Sequence, residues 1–369
     1  MIRVIACPDS FKGALNATAA AQAIASGVQR TRPDAETIPV PMADGGEGTL
    51  DAILNAERGN RRRVAAHGPL GDPVEAPVGL IRGASVAVVE LACASGYALI
   101  PPELRDPLRT TTYGLGEVVR AAVESDVDEI ILAVGGSATV DGGAGMMQAL
   151  GLKLYDANGR LLADGIGGGQ LRDIARFVWD NPPEGLERVR FTIACDVLNP
   201  ACGANGAATV FGPQKGADAG GVQTLDAGLA HWADLLEQAT GRRLRDEPGT
   251  GAAGGVALPL LAMCNAVLVP GVDLVSQMID LSGRISDADL VLTGEGRLDA
   301  QSMMGKVVGA IGRMCCVAEV PCAAIVGAKG DGWEECLRVL DRVYTLDAPM
   351  EQTKVRIEQV AATAADELL

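Results

Sequence analysis

Six short stretches of this chain carry side chains that can do chemistry. Three are built on carboxylates: Asp9 with Ser10 and Lys12; Asp44 with Glu47; and Glu295 and Asp299 with Arg297. The others are Ser137, Thr139 and Asp141, then Asp196 and Asn199, then Gln214 and Lys215. Carboxylates without histidine offer hard oxygen ligands, which suit Mg²⁺. Lysine, arginine and glycine-rich amides suit phosphate. Together these are the parts of phosphoryl transfer: charge neutralisation, positioning, and an acid that orients a hydroxyl nucleophile. Serine hydrolysis would want a placed histidine, and His67 and His231 lie outside every stretch. Nine scattered cysteines without a CxxC, and only two histidines, speak against zinc.

The densest stretch is 135–151, GGSATVDGGAGMMQALG. An apolar run at 128–134 precedes it and reads as a buried strand, and Met146, Met147 and Leu150 follow at helical spacing. Strand, glycine turn and helix start make a candidate cradle for a phosphate or carboxylate, because amides there favour anions and glycine lets a ligand come close. The alternative is a tight turn that lets helix and strand pack closely. The standard nucleotide motifs are absent. Gly305-Lys306 lacks the first glycine and the following hydroxyl of a P-loop, and the GxGxxG match at 249–254 follows no strand.

These residues need elements to position them. Strand-like runs at 2–7, 37–42, 289–293, 322–326 and 342–346 alternate with helical stretches, which predicts a parallel, doubly wound α/β sheet. Pro39 and Pro41 forfeit ladder donors, so 37–42 is expected at an edge. Asn16 or Thr18 can cap the first helix. The middle differs: 61–64, 74–81 and 86–91 read as a hairpin or meander. The predicted organisation is one discontinuous domain, 1–60 with 270–369, carrying an inserted mixed α/β domain at 61–269. Ligands of open parallel sheets sit outside the carboxyl ends of the strands. The polar stretches follow strands or glycine turns, and a cleft between the domains is expected to gather them.

With 369 residues and 48% hydrophobic composition, a sizeable core is expected, built from small aliphatic side chains because aromatics are only 3%. A net charge of −16 argues against non-specific nucleic-acid binding, which needs basic surface. No apolar run is long enough to span a bilayer, and the first residues lead directly into a strand without a signal peptide, so the cytoplasm is the expected compartment.

The motifs PDSFKG (8–13), PMADGGEGT (41–49), GGSATVDGGAGM (135–146), CDVLNP (195–200), FGPQKGA (211–217) and TGEGRLDAQS (293–302) resemble the bacterial glycerate kinase family, type 1, in the family's order and across nearly the whole chain. The resemblance implies a flavodoxin-like domain with a second α/β domain. It also implies ATP-dependent phosphorylation of D-glycerate, commonly to 2-phosphoglycerate, with Mg²⁺. One departure is Val140, where the family usually has Asn, so a lost hydrogen bond to a ligand would alter substrate preference.

Residue type and motif position then suggest roles. Lys12, with Asp9 and Ser10, would grip the glycerate carboxylate or the transferring phosphoryl group. Asp44 and Glu47, three apart at a helix start, would share one face; one would hold Mg²⁺ and the other orient the attacking hydroxyl. Asp196 is a second candidate for base or metal ligand, and Glu295 a further metal candidate. Lys215 would neutralise phosphate charge, its alternative being a solvated loop lysine. Arg297 would fork onto a carboxylate or phosphate, or pair with Glu295 and Asp299. Gly135, Gly136, Ser137, Thr139, Asp141, Gly142 and Gly143 would hold nucleotide phosphate, or present the turn to glycerate instead. The rivals are a kinase for another small hydroxy acid and a non-catalytic sensor of small anions. Glycerate and ATP are the expected partners, without nucleic acid or membrane, and a homodimer stays open.

Overall fold

A computed structural model describes residues 1–303 and 305–369. The chain divides into two compact units, Met1–Glu57 with Pro270–Leu369, and Arg58–Val269.

The first unit holds a five-stranded parallel sheet. In space its strands run Arg342–Thr345, Cys322–Lys329, Leu290–Leu298, Arg3–Ala6 and Glu36–Pro39. Numbered within the unit this is the flavodoxin-like order 2-1-3-4-5, with its topological switch point between Arg3–Ala6 and Leu290–Leu298. Glu36–Pro39 is an edge strand, as its prolines require. Asn16 is the N-cap of helix Ala17–Thr31, its side chain accepting from the Ala19 amide at 2.8 Å. That helix packs on the C-terminal helix Thr353–Leu368. A Cβ at Gly27 would lie 2.2 Å from the Glu358 carbonyl oxygen, so glycine is what lets the two backbones approach. Val4, Ile24, Leu290, Ile325 and Ile357 fill the core between sheet and helices.

Two expectations change here. Leu290–Leu298 continues through Glu295 and Arg297, so that motif lies on a strand and not in the loop after one. Helix Thr49–Glu57 begins after Asp44 and Glu47, so those acids do not share a helical face.

The second unit holds a six-stranded mixed sheet in the order Asn265–Val269, Arg190–Ala194, Glu129–Ala133, Val86–Glu90, Pro73–Ile81 and Asn60–His67. The first four are parallel, and the last two extend the sheet as an antiparallel meander. Asn265–Val269 was not expected from the sequence; it is short and borders a run of small residues. Lys153–Tyr155 pairs with Arg176–Val178, and Tyr155 also bridges Leu161 antiparallel across the 156–160 turn. The long helix Ala219–Thr240 lays Leu225, Leu229, Trp232 and Leu236 into the core. All nine cysteines are free. Among the described residues no helix is long and apolar enough to cross a membrane.

Candidate functional site

Two sets of polar side chains form, one in each unit. In the first unit they gather at the switch point of the parallel sheet. Two residues past the strand Arg3–Ala6, the Pro8 carbonyl accepts the Met42 amide at 3.0 Å, which draws the Asp44 segment alongside. The Asp9 amide donates to the Gly294 carbonyl at 2.8 Å, which fixes Asp9 beside the strand that carries Glu295. Helix Gly271–Met278 starts against Asp44: a Cβ at Gly271 would be 2.2 Å from the Asp44 carbonyl oxygen.

The acids of this set interact. Burial pushes the Asp9 pKa up to about 7, Asp44 and Glu295 add to the rise, and the Ser10 amide and Lys12 oppose it. Asp9 Oδ1 accepts from the Ser10 amide at 2.6 Å. Glu295 is 8% exposed and accepts from Ser302 Oγ at 2.6 Å; burial raises its pKa, the Ser302 hydroxyl and Lys306 opposing. Lys12 is exposed in the turn after Phe11 and reaches the set through its charge on Asp9. Glu47 is exposed. The Arg297 side chain is 67% exposed and its Nε lies 3.9 Å from Asp299 Oδ2, whereas Glu295 takes Ser302, so the arginine pairs with one of its two expected carboxylates.

In the second unit the set forms where three neighbouring parallel strands end. Register pairs Glu90 with Ala133 and Ala133 with Ala194, so the residues that follow each strand come out side by side. These are Ser95 to Tyr97, Gly135 to Thr139, and the half-buried Asp196. Gly96 bridges Ser137, and the Tyr97 amide donates to the Gly136 carbonyl at 3.0 Å. Lys215 is 5% exposed, not a solvated loop lysine. Its Nζ donates to Ser137 Oγ at 2.8 Å and to the Thr139 carbonyl at 2.7 Å. Burial pushes its pKa down to about 7, with Asp141 opposing.

The glycine stretch splits in function. Gly135, Gly136 and Ser137 stay at the strand end, with Gly136 exposed at φ +75°. Gly142 and Gly143 are buried and serve packing. Side chains there would meet Trp232 Cδ1 at 2.6 Å and the Val256 carbonyl at 2.8 Å. The helix start that was expected to take an anion already has one from the chain itself. Asp141, fully buried, accepts from the Thr112 amide and hydroxyl at 2.7 Å each, from the Gly143 amide at 3.2 Å and from the Gly145 amide at 3.3 Å. Burial raises its pKa against the pull of these donors. Asp141, Gly142 and Gly143 therefore shape the turn. Thr139 is also fully buried, its carbonyl holding Lys215. Val140 lies in the apolar core, so its place in the chain bears on packing and not on ligand contact. The GxGxxG match has a packing role too: a Cβ at Gly254 would be 2.1 Å from the Thr139 carbonyl, and the Gly142 amide donates to the Gly254 carbonyl.

Sequence reasoning missed Tyr97, Arg105, Thr112 and Ser302, which sit outside the motifs or act through neighbours. Both histidines are engaged elsewhere, His67 with Glu117 and His231 with the Ile174 carbonyl. No group of three or more His, Cys, Asp or Glu among the described residues could hold a metal by itself. The donor chemistry still fits Mg²⁺ brought with phosphates, since that ion uses one or two carboxylates and keeps its other ligands from phosphate and water.

The family model for the glycerate kinase family matches residues 4–369. A glycerate kinase of Halalkalibacterium halodurans is 42% identical over 373 residues, covering 99% of this chain and 98% of its own. The glycerate 2-kinase of Escherichia coli is 42% identical over 354 residues, covering 94% and 92%. A crystal structure from Salmonella typhimurium assigned to glycerate kinase 2 has a TM-score of 0.87 at 38% identity, covering 100% of this chain and 98% of that one.

Proposed function

The chain belongs to the glycerate kinase family, and from that premise we propose that it transfers the γ-phosphoryl group of ATP to the 2-hydroxyl of D-glycerate. What carries the reading is the carboxylate cluster Asp9, Asp44 and Glu295 at a topological switch point, where open α/β sheets bind ligands. The position of transfer is supported by the relative named glycerate 2-kinase.

Both polar sets serve one reaction in this proposal. Asp44 or Asp196 accepts the hydrogen bond of the attacking hydroxyl, orients it and takes its proton as the new P–O bond forms and the bond to the leaving ADP oxygen breaks. Lys12 and Ser10 hold the transferring group. Lys215, kept by Ser137 and the Thr139 carbonyl, sets a positive charge against the ligand's negative one. Mg²⁺, when bound with ATP, would be held by Asp44, with Asp196 or Glu295 as the other carboxylate, and would neutralise phosphate charge. A cytoplasmic location belongs to the same proposal.

The test is ADP release from ATP with D-glycerate, followed by phosphorus NMR of the product. A 2-phosphoglycerate signal that requires Mg²⁺ supports the reading. Tight glycerate binding without ADP formation would turn the protein into a sensor, and a 3-phosphoglycerate signal would move the transfer to the other hydroxyl.

A further inference from the structure

We propose that Arg105 is the residue that recognises the substrate's carboxylate, forking onto it beside Lys215 and Ser137 in the second unit. The inference rests on the kinase reading and goes beyond it, since no motif drew attention to this arginine.

Arg105 is half-buried, its Nε is buried, and among the described residues no hydrogen-bond partner reaches that atom. Its guanidinium carbon lies over the Tyr97 ring, 5.2 Å from the ring centre. The other partly buried arginines behave differently: Arg3, Arg32, Arg245, Arg284 and Arg356 each meet a carboxylate or a carbonyl. In a chain with 47 acidic residues a buried guanidinium Nε without an acceptor costs stability, unless a ligand supplies the acceptor.

The surroundings are built. Arg105 stacks on Tyr97, and the Tyr97 amide holds the Gly136 carbonyl. Ser137 follows Gly136 and takes the Lys215 ammonium. Gly216 follows Lys215 at φ +104°, where an added Cβ would be 2.2 Å from the Arg105 carbonyl oxygen and 3.3 Å from Arg105 Cβ. The contacts thus close a ring that starts and ends at Arg105. Protonated Lys215 has three N–H donors and gives two to the protein, so one remains for a ligand.

Arg105 and, when protonated, Lys215 offer positive charge to an anion, and shape selects its class. A guanidinium also presents parallel donors that match a planar carboxylate. Of the residues the sequence offers for a carboxylate, Lys12 is exposed, and Arg297 is mostly exposed and lies near Asp299.

The experiment is steady-state kinetics of Arg105→Met and Arg105→Lys. The KM for D-glycerate should rise on the order of 10- to 100-fold in Arg105→Met, less in Arg105→Lys, while the KM for ATP stays within about twofold. A rise in the KM for ATP with that for glycerate unchanged would assign the arginine to nucleotide phosphate and overturn the inference. Unchanged constants for both would overturn it as well. If Arg105→Met fails to fold, Arg105→Lys carries the same comparison. Wild-type protein that forms no ADP sinks the kinase reading by itself. Calorimetry of wild type and Arg105→Lys with D-glycerate and with glycerol then decides the inference: glycerate bound over glycerol, and more weakly by the variant, upholds it, and equal affinities end it.

Discussion

Lys215 Nζ and Ser137 Oγ, 78 positions apart in the chain, meet at 2.8 Å inside the second unit. The contact ties the turn after one parallel strand to the FGPQKGA segment. It also holds a lysine where burial has brought its pKa down to about 7.

An anion bound beside that lysine favours the protonated form. Near pH 8 the free protein holds Lys215 mostly neutral, so glycerate binding should draw a proton from the buffer. Calorimetry in two buffers of different ionisation enthalpy reads this as a buffer-dependent heat that fades below pH 6 and disappears in Lys215→Met. Equal heats in both buffers at pH 8 would show that Lys215 does not sense the ligand.

Asp9 has the opposite sign. Its pKa is 3.8 in the unfolded chain and about 7 in the fold, so between those values the folded state holds more protons. Its contribution to stability falls as pH rises through this window, by up to roughly 4 kcal/mol. Asp9→Asn should therefore gain melting temperature on wild type from pH 4 to 7, then hold a constant lead. A variant that melts below wild type at pH 8 would contradict the buried, raised acid.

Asp44→Asn and Asp196→Asn should each lower kcat by about 100-fold or more, with the melting temperature close to wild type. Near-normal turnover in both would remove them from proton handling and metal binding.

Asp141→Ala separates a structural anchor from a ligand contact. It strips the acceptor from two donors of Thr112 and two glycine amides, which costs roughly 3–5 kcal/mol when such groups stay buried. The variant should melt well below wild type. Wild-type stability with a raised KM for ATP would restore Asp141 to the phosphate site.

Much of this molecule was legible in the sequence because the cues were local. Prolines marked the edge strand, Asn16 marked a cap, and alternation of strand and helix marked the parallel sheet. Asp9 and Asp44 were legible because they follow strands, and chain topology brings such positions together, whereas Glu295 lies on its strand. The glycine stretch was half legible: its composition suggests both a cradle and a packing turn, and burial decides between them residue by residue. Arg105 and Ser302 were not legible, because one gains its meaning from an absent partner and the other from contact with Glu295. Asp44 and Glu47 misled as a pair because the helix start was read up to five residues too early.

The strand Arg3–Ala6 takes as its neighbours Glu36–Pro39 and Leu290–Leu298, and Val4 is in register with Leu290, 286 positions later. On the ribosome, Arg58–Val269 emerges complete while the opening strands still lack their central partner. Synthesis should thus yield a finished second unit first, leaving the amino-terminal βαβ segment with an unsatisfied edge that nascent-chain chaperones are suited to guard.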